Sequence, residues 1–84
     1  MTYRIIIEKQ ARKDMKKLSP KTRSRVNATI TILRENPFMG KQLKGDLAGL
    51  WSLRVWPYRI LYIIEREIVT VTVLEVGHRQ GVYQ

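Results

Sequence analysis

Cysteine is absent from the 84-residue sequence, and histidine occurs only once. The chain therefore has no disulfide, no thiolate ligand and no thiol nucleophile. A single histidine also argues against a metal site, because such sites usually need several histidine or cysteine ligands. No apolar run approaches the roughly 18 residues of a membrane span, and residues 1–10 lack the apolar core of a signal peptide. These absences predict a soluble cytoplasmic protein with no membrane, metal or cofactor.

Acidic residues are also scarce, with 7 Asp and Glu against 16 Lys and Arg, which gives a formal net charge of +9. This excess costs stability through self-repulsion, and solubility needs far less charge. It indicates a polyanionic partner: nucleic acid, a ribonucleoprotein, an acidic protein or a membrane surface. Nucleic acid or ribonucleoprotein is the favoured class.

The length predicts a single domain, residues 1–84, with a core that is only marginally sufficient without a partner. Helical spacing of Ala11, Met15 and Leu18 predicts a helix over residues 9–18. Ser19 and Pro20 start a second helix, which Asn36-Pro37 ends near residue 35.

Strand-forming residues occupy both ends of the chain, and residues 38–50 hold three of the five glycines and predict a loop. The predicted strands are residues 3–8, 51–56, 58–65 and 68–76. The order β-α-α-β-β-β predicts an α+β fold, in which two N-terminal helices pack on one face of a mostly antiparallel four-stranded sheet.

This layout brings arginines together. A symmetric hairpin at Trp56-Pro57 sets Arg54 opposite Arg59. The last strand returns antiparallel and delivers Arg79 to the same end of the sheet. Like charges in direct opposition destabilise a sheet, so this cluster is better suited to binding an anion than to stability.

Guanidinium groups hold phosphate oxygens and stabilise the charge that develops during phosphoryl chemistry. RNA supplies its own 2′-hydroxyl nucleophile, so cleavage requires no metal. It requires a proton acceptor for the 2′-hydroxyl, such as His78 or Tyr83, and a proton donor for the 5′-leaving oxygen. Nearby arginines favour the phenolate of Tyr83. Aromatic side chains suited to stacking on exposed bases are Trp51, Trp56, Tyr58 and Tyr83.

Simpler interpretations remain open for several of these residues. A single histidine near a terminus is more often solvated than catalytic, and Trp51 alternates with polar neighbours as a core residue does. Tyr58 and Tyr62 share one face of their strand and are consistent with packing alone. The basic face of the first helix is most simply explained by solvation, although it would also suit RNA phosphates.

Three motifs carry a resemblance to a known family: Leu43-Lys44-Gly45, the paired strands of residues 53–62 with LRV and YRILY, and GHRQGVY in residues 77–83. Together they resemble the RelE/ParE superfamily of toxins from type II toxin–antitoxin pairs. The resemblance covers nearly the whole chain and implies a RelE-like, microbial-ribonuclease-like fold.

The resemblance also implies an activity. RelE-like members cut mRNA in the A site of the 70S ribosome by 2′-hydroxyl attack, and a RelB-like antitoxin silences them in a hetero-oligomer. It implies a catalytic set of Arg59, Arg79 and Tyr83, to which the chemistry above adds His78. The expected RNA-binding residues are Arg54, Lys44, Lys9, Arg12, Lys13 and Lys16. Ser52 departs from the family pattern, because a lysine stands there in the best-known RelE.

Two other functions remain open. ParE-like members poison DNA gyrase instead, although they generally lack the full arginine and tyrosine tail. A decayed toxin or a non-enzymatic module would bind RNA with a steep salt dependence and without turnover.

Overall fold

The computed structural model describes residues 2–78. The helices are α1 (Lys9–Lys16) and α2 (Pro20–Glu35). The strands are β1 (Arg4–Ile7), β2 (Lys41–Gln42), β3 (Trp51–Val55), β4 (Tyr58–Glu65) and β5 (Thr70–His78). Short 3₁₀ turns at Pro37–Met39, Gly45–Leu47 and Arg66–Ile68 connect them.

The strands form one sheet in the order β1-β5-β4-β3-β2. β1 runs parallel to β5, and the other neighbours are antiparallel. Both helices cover one face of the sheet, because their buried residues join those of the inner strands in a single core. That core consists of Ala11, Met15, Leu18, Val26, Ile30, Leu33, Val55, Ile60, Tyr62, Val71, Val73 and Val76. The expected two-layer α+β architecture is confirmed.

Local chemistry explains where the helices meet. The Ser19 hydroxyl accepts a hydrogen bond from the Thr22 amide at 3.2 Å, and Pro20 opens α2 at a position where no backbone donor is needed. One turn later, the Arg23 guanidinium donates to the carbonyls of Met15, Lys16 and Leu18. A cation therefore satisfies the exposed carbonyls at the end of α1.

Most strand bounds differ from the expected ones by one or two residues. Three larger differences have a local cause. The sheet has five strands rather than four, because Lys41–Gln42 pairs with β3 inside the expected loop. α1 ends at Lys16, where the Leu18 amide bonds to the Met15 carbonyl in a tighter turn. The last strand begins at Thr70, because Arg66–Ile68 forms a 3₁₀ turn and Val69 adopts a left-handed conformation with φ 48°.

Within residues 2–78, neither helix is long and apolar enough to cross a membrane.

Candidate functional site

The face of the sheet opposite the helices carries the arginines. Along β4, Ile60 and Tyr62 point into the core, so the alternating Arg59 lies on the helix-free face. Arg54 pairs directly with Arg59 across the hairpin, as the sequence predicted. Directly paired residues share a face, so two guanidinium groups project from neighbouring backbone positions on the same side of the sheet.

Ser52 orients one of these arginines. The Arg59 guanidinium donates to the Ser52 hydroxyl at 3.4 Å, and Ser52 is only 2% exposed. Arg59 is half-buried, whereas Arg54 is exposed. An arginine whose side chain is half-buried and hydrogen-bonded to a neighbour is already restrained. It therefore loses less conformational entropy on binding an anion than a fully solvated arginine does. The Ser52 hydroxyl therefore positions Arg59.

Lys41 is a further basic residue of this face, and sequence reasoning missed it. It pairs with Ser52 and is exposed. Lys41 and Lys44 both line a surface depression of about 270 Å³. No signal in the sequence identifies this lysine, because a two-residue strand is too short to show alternation.

The end of β5 lies beside the arginine pair. Gly77 pairs with Arg59, and His78 pairs with Tyr58. The His78 ring meets the Tyr58 ring edge-on, with centroids 5.9 Å apart. His78 thus lies on the same side as Tyr58, away from the face that carries Arg59. Arg79 and Tyr83 lie outside the described residues.

Asp14 on α1 fixes the position of this strand end. β1 stops opposite Val73, and within residues 2–78 no other strand pairs with β5 on that edge beyond this point. There the Asp14 carboxylate accepts a hydrogen bond from the Val76 amide at 2.9 Å. Nothing in the residue pattern of α1 pointed to this contact.

The basic residues of α1 form a separate surface on the helix layer. Arg12 donates from Nε to the Ile7 carbonyl at 3.0 Å. Arg12 and Lys16 border a depression of about 350 Å³ with an apolar floor of Ile7 and Met15. Lys9 and Lys13 are exposed on the same helix. The structure does not bring these four residues together with Arg54 and Arg59.

The aromatic residues divide into packing and exposed groups. Trp51 stacks on Tyr62 at 6.2 Å between centroids and packs against the core, in agreement with the simpler interpretation. Tyr58 also packs against the core. Trp56, in the β3–β4 turn, is 54% exposed. Among residues 2–78, no group of three or more His, Cys, Asp or Glu side chains is arranged to hold a metal ion.

Comparison with known proteins decides the family. A family model described as the ParE toxin of type II toxin–antitoxin systems matches residues 5–83. The chain belongs to the RelE/ParE superfamily of toxins. Toxin RelG of Mycobacterium tuberculosis is 38% identical over 86 residues, which cover 100% of this chain and 99% of the relative.

Solved structures of RelE/ParE toxins share the fold. The RelBE2 toxin–antitoxin complex of Mycobacterium tuberculosis has a TM-score of 0.87 at 37% identity, covering 94% of this chain and 100% of that one. The archaeal RelE–RelB complex of Pyrococcus horikoshii has a TM-score of 0.79 at 26% identity, covering 98% and 100%. These similarities confirm the RelE-like fold predicted from the sequence.

Proposed function

We propose that this toxin is a ribosome-dependent endoribonuclease that cleaves mRNA in the A site and so inhibits translation. The observation that carries the proposal is the pair of directly opposed arginines, Arg54 and Arg59, on the helix-free face. Opposed cations weaken a sheet unless an anion lies between them or nearby. The RNA phosphate is the anion that fits a chain of net charge +9.

In the proposed mechanism, Arg59 binds the scissile phosphate in the orientation that Ser52 favours. Arg79 stabilises the charge that develops in the transition state and acts as the acid that donates a proton to the 5′-leaving oxygen. Tyr83 accepts the proton of the ribose 2′-hydroxyl, with His78 as an auxiliary group, and the 2′-oxygen attacks the phosphorus to leave a cyclic phosphate and a free 5′-hydroxyl. Every step uses side chains and the RNA itself, so the proposal includes no cofactor.

Binding residues complete the proposal. Arg54 holds the mRNA beside the scissile phosphate, and Lys44 extends the same function along the depression it shares with Lys41. The α1 residues Lys9, Arg12, Lys13 and Lys16 lie on the other layer, so their proposed contact is with rRNA rather than with the scissile phosphate. The ribosomal target places the toxin in the cytoplasm.

The proposed partner is a RelB-like antitoxin encoded with the toxin. The similar structures from M. tuberculosis and P. horikoshii are both toxin–antitoxin complexes, and the second is of RelE with RelB. A hetero-oligomer with such a protein would neutralise the basic surface and stabilise a small core.

The test is cleavage in a reconstituted translation system, with mRNA ends mapped by primer extension. Wild-type toxin should cut within the A-site codon only when ribosomes are present. Arg59→Ala, Arg79→Ala and Tyr83→Phe should each reduce cleavage by roughly a hundredfold or more, in the range of losses seen when one transition-state contact is removed. His78→Ala should have a smaller effect, since its ring lies on the other side of the strand.

Lys21→Ala serves as the matched control, because this exposed cation lies on α2, away from the arginine face. It should cut at the wild-type rate. Cleavage of full strength in Arg59→Ala, with the fold verified by circular dichroism, would contradict the assignment of the phosphate site.

DNA gyrase poisoning is the second candidate, because the matching family model is described as ParE. It predicts intact mRNA in the translation assay and toxin-dependent cleavage complexes of purified gyrase on supercoiled DNA. The same preparation should be used in both assays, so that one positive result decides between the targets.

A further inference from the structure

The most exposed aromatic side chain of residues 2–78 lies next to the arginine pair. Trp56 is 54% exposed, whereas Trp51 packs against the core. Burying a tryptophan contributes a large hydrophobic stabilisation. A small domain that leaves so much of one in water forgoes that gain, which points to a ligand for the ring.

The hairpin brings Trp56 near the arginine pair. Val55 and Tyr58 pair at the base of the turn, and Arg54 and Arg59 form the next pair. Two residues of strand span roughly 7 Å, so the backbone of Trp56 lies about 7 Å from that of Arg54.

A cationic site beside an aromatic ring is the arrangement that proteins use for single-stranded nucleic acid. The cations hold the backbone, and the ring stacks on a base. A partner protein would also bury a tryptophan. However, the turn presents both cations and an aromatic ring, and a ligand that matches both must carry anionic groups and flat rings. Every RNA nucleotide has both, in its phosphate and its base.

We propose that Trp56 stacks on a base of the bound single-stranded RNA, adjacent to the phosphate held by Arg54 and Arg59. The inference rests on the proposed RNA-directed function and deepens it, by assigning a side chain that contacts the mRNA through a base. Because every base has an aromatic face, stacking at this turn tolerates any base and fixes the register of the mRNA.

The experiment removes the ring and the base separately. Ribosomes are programmed with mRNAs whose A-site codon carries an abasic nucleotide at the first, second or third position, and cleavage is measured with wild type, Trp56→Ala and Trp56→Phe. At one codon position the missing base should slow wild type by roughly tenfold, in keeping with stacking contributions in other proteins. Trp56→Ala should cleave normal mRNA slowly, and removing the base at that position should not reduce its cleavage rate further. Trp56→Phe should cleave both mRNAs at rates close to those of wild type.

A second arm measures affinity for fluorescein-labelled single-stranded RNA and its abasic counterpart by anisotropy, so that stacking is tested without cleavage. Ile68→Ala is the matched control, because Ile68 is 60% exposed in the turn at the opposite end of β4. It should behave as wild type in both arms.

The outcomes separate this inference from the proposed function. If wild type cuts and Trp56→Ala responds to the abasic sites as wild type does, the stacking assignment is overturned while the nuclease remains. Weakened antitoxin binding with unchanged RNA behaviour would also overturn it, in favour of a protein contact. If wild type does not cut, the proposed function fails, and the anisotropy arm alone decides whether Trp56 discriminates a base from an abasic site.

Discussion

Tyr62 shows how one buried polar side chain organises the β2 side of the molecule. Its ring is 0% exposed, and its hydroxyl donates to the Pro37 carbonyl at 2.7 Å. Burial raises the pKa of this hydroxyl to about 12, and a backbone hydrogen bond from Gly40 opposes the shift in part. A Cβ atom at Gly40 would meet both the Tyr62 hydroxyl and, at 2.9 Å, the Ser52 carbonyl. Glycine is therefore required where the chain passes Tyr62 to enter β2.

The Tyr62→Phe variant should lower the free energy of unfolding by about 1–2 kcal/mol at neutral pH, because the buried Pro37 carbonyl loses its donor. The raised pKa adds a pH dependence. The folded state keeps its proton up to about pH 12, whereas the unfolded tyrosine ionises near pH 10. This contribution is complete below pH 10 and is lost as the pH rises towards 12.

Urea unfolding of wild type and Tyr62→Phe at intervals from pH 7 to 12 measures both effects. The difference between the two proteins should be constant up to about pH 10 and then shrink. A difference that stays constant to pH 12 would contradict the buried, protonated hydroxyl.

At the scale of elements, α1 and β5 are joined by a side chain where β1 ends. Beyond the end of β1, the Asp14 carboxylate takes the place of a strand partner by accepting a hydrogen bond from the Val76 amide. Its other oxygen accepts a hydrogen bond from the Gln10 side-chain amide at 2.9 Å. The contact fixes the last part of β5, where Gly77 pairs with Arg59. A helix residue outside the arginine face thereby positions the strand beside the arginine pair.

Asp14→Ala should destabilise the protein by roughly 1–3 kcal/mol, since the Val76 amide loses its acceptor in a buried setting. Asp14→Asn retains a carbonyl oxygen and should lose less. Gln10→Ala is the control, because it removes only an exposed contact to the same carboxylate. Chemical denaturation of the three variants gives the comparison, and equal stability of Asp14→Ala and wild type would refute the role.

At the scale of the whole molecule, positive charge is distributed over both layers. The arginine pair lies on the helix-free face of the sheet, and the cations of α1 lie on the opposite layer. A surface of this kind attracts a polyanion from many directions and raises the rate of encounter. It also makes every association with RNA sensitive to salt.

Lys13→Ala combined with Lys16→Ala should raise KM for the proposed cleavage on ribosomes and leave kcat unchanged, because α1 lies on the layer opposite the proposed phosphate site. The logarithmic salt dependence of ribosome binding should fall by about two units, or one per phosphate contact removed. The control is Lys21→Ala with Arg25→Ala on α2, which removes the same charge from another element. Equal effects of the two pairs would show that α1 acts only through net charge.

The arginine pairing was predictable because a two-residue turn fixes the register of a hairpin, and Trp56-Pro57 marks that turn in the sequence. β2 was not predictable, because two residues carry no periodic signal. The orientation of His78 was also hidden. β5 contains an irregularity between the Leu61 and Tyr62 pairs, which shifts its register by one residue. Beyond such a shift, each residue lies on the opposite face of the sheet from the one that simple alternation predicts. No turn-forming residue marks the position of the shift in the sequence.

The strand order has a consequence for folding. β5 lies between β1 and β4, so the last strand in chain order is an interior strand of the sheet. Until β5 is in place, β1 has no strand partner, because this long-range pairing joins the two most distant strands of the described chain. The sheet therefore closes only when the first and last strands have met.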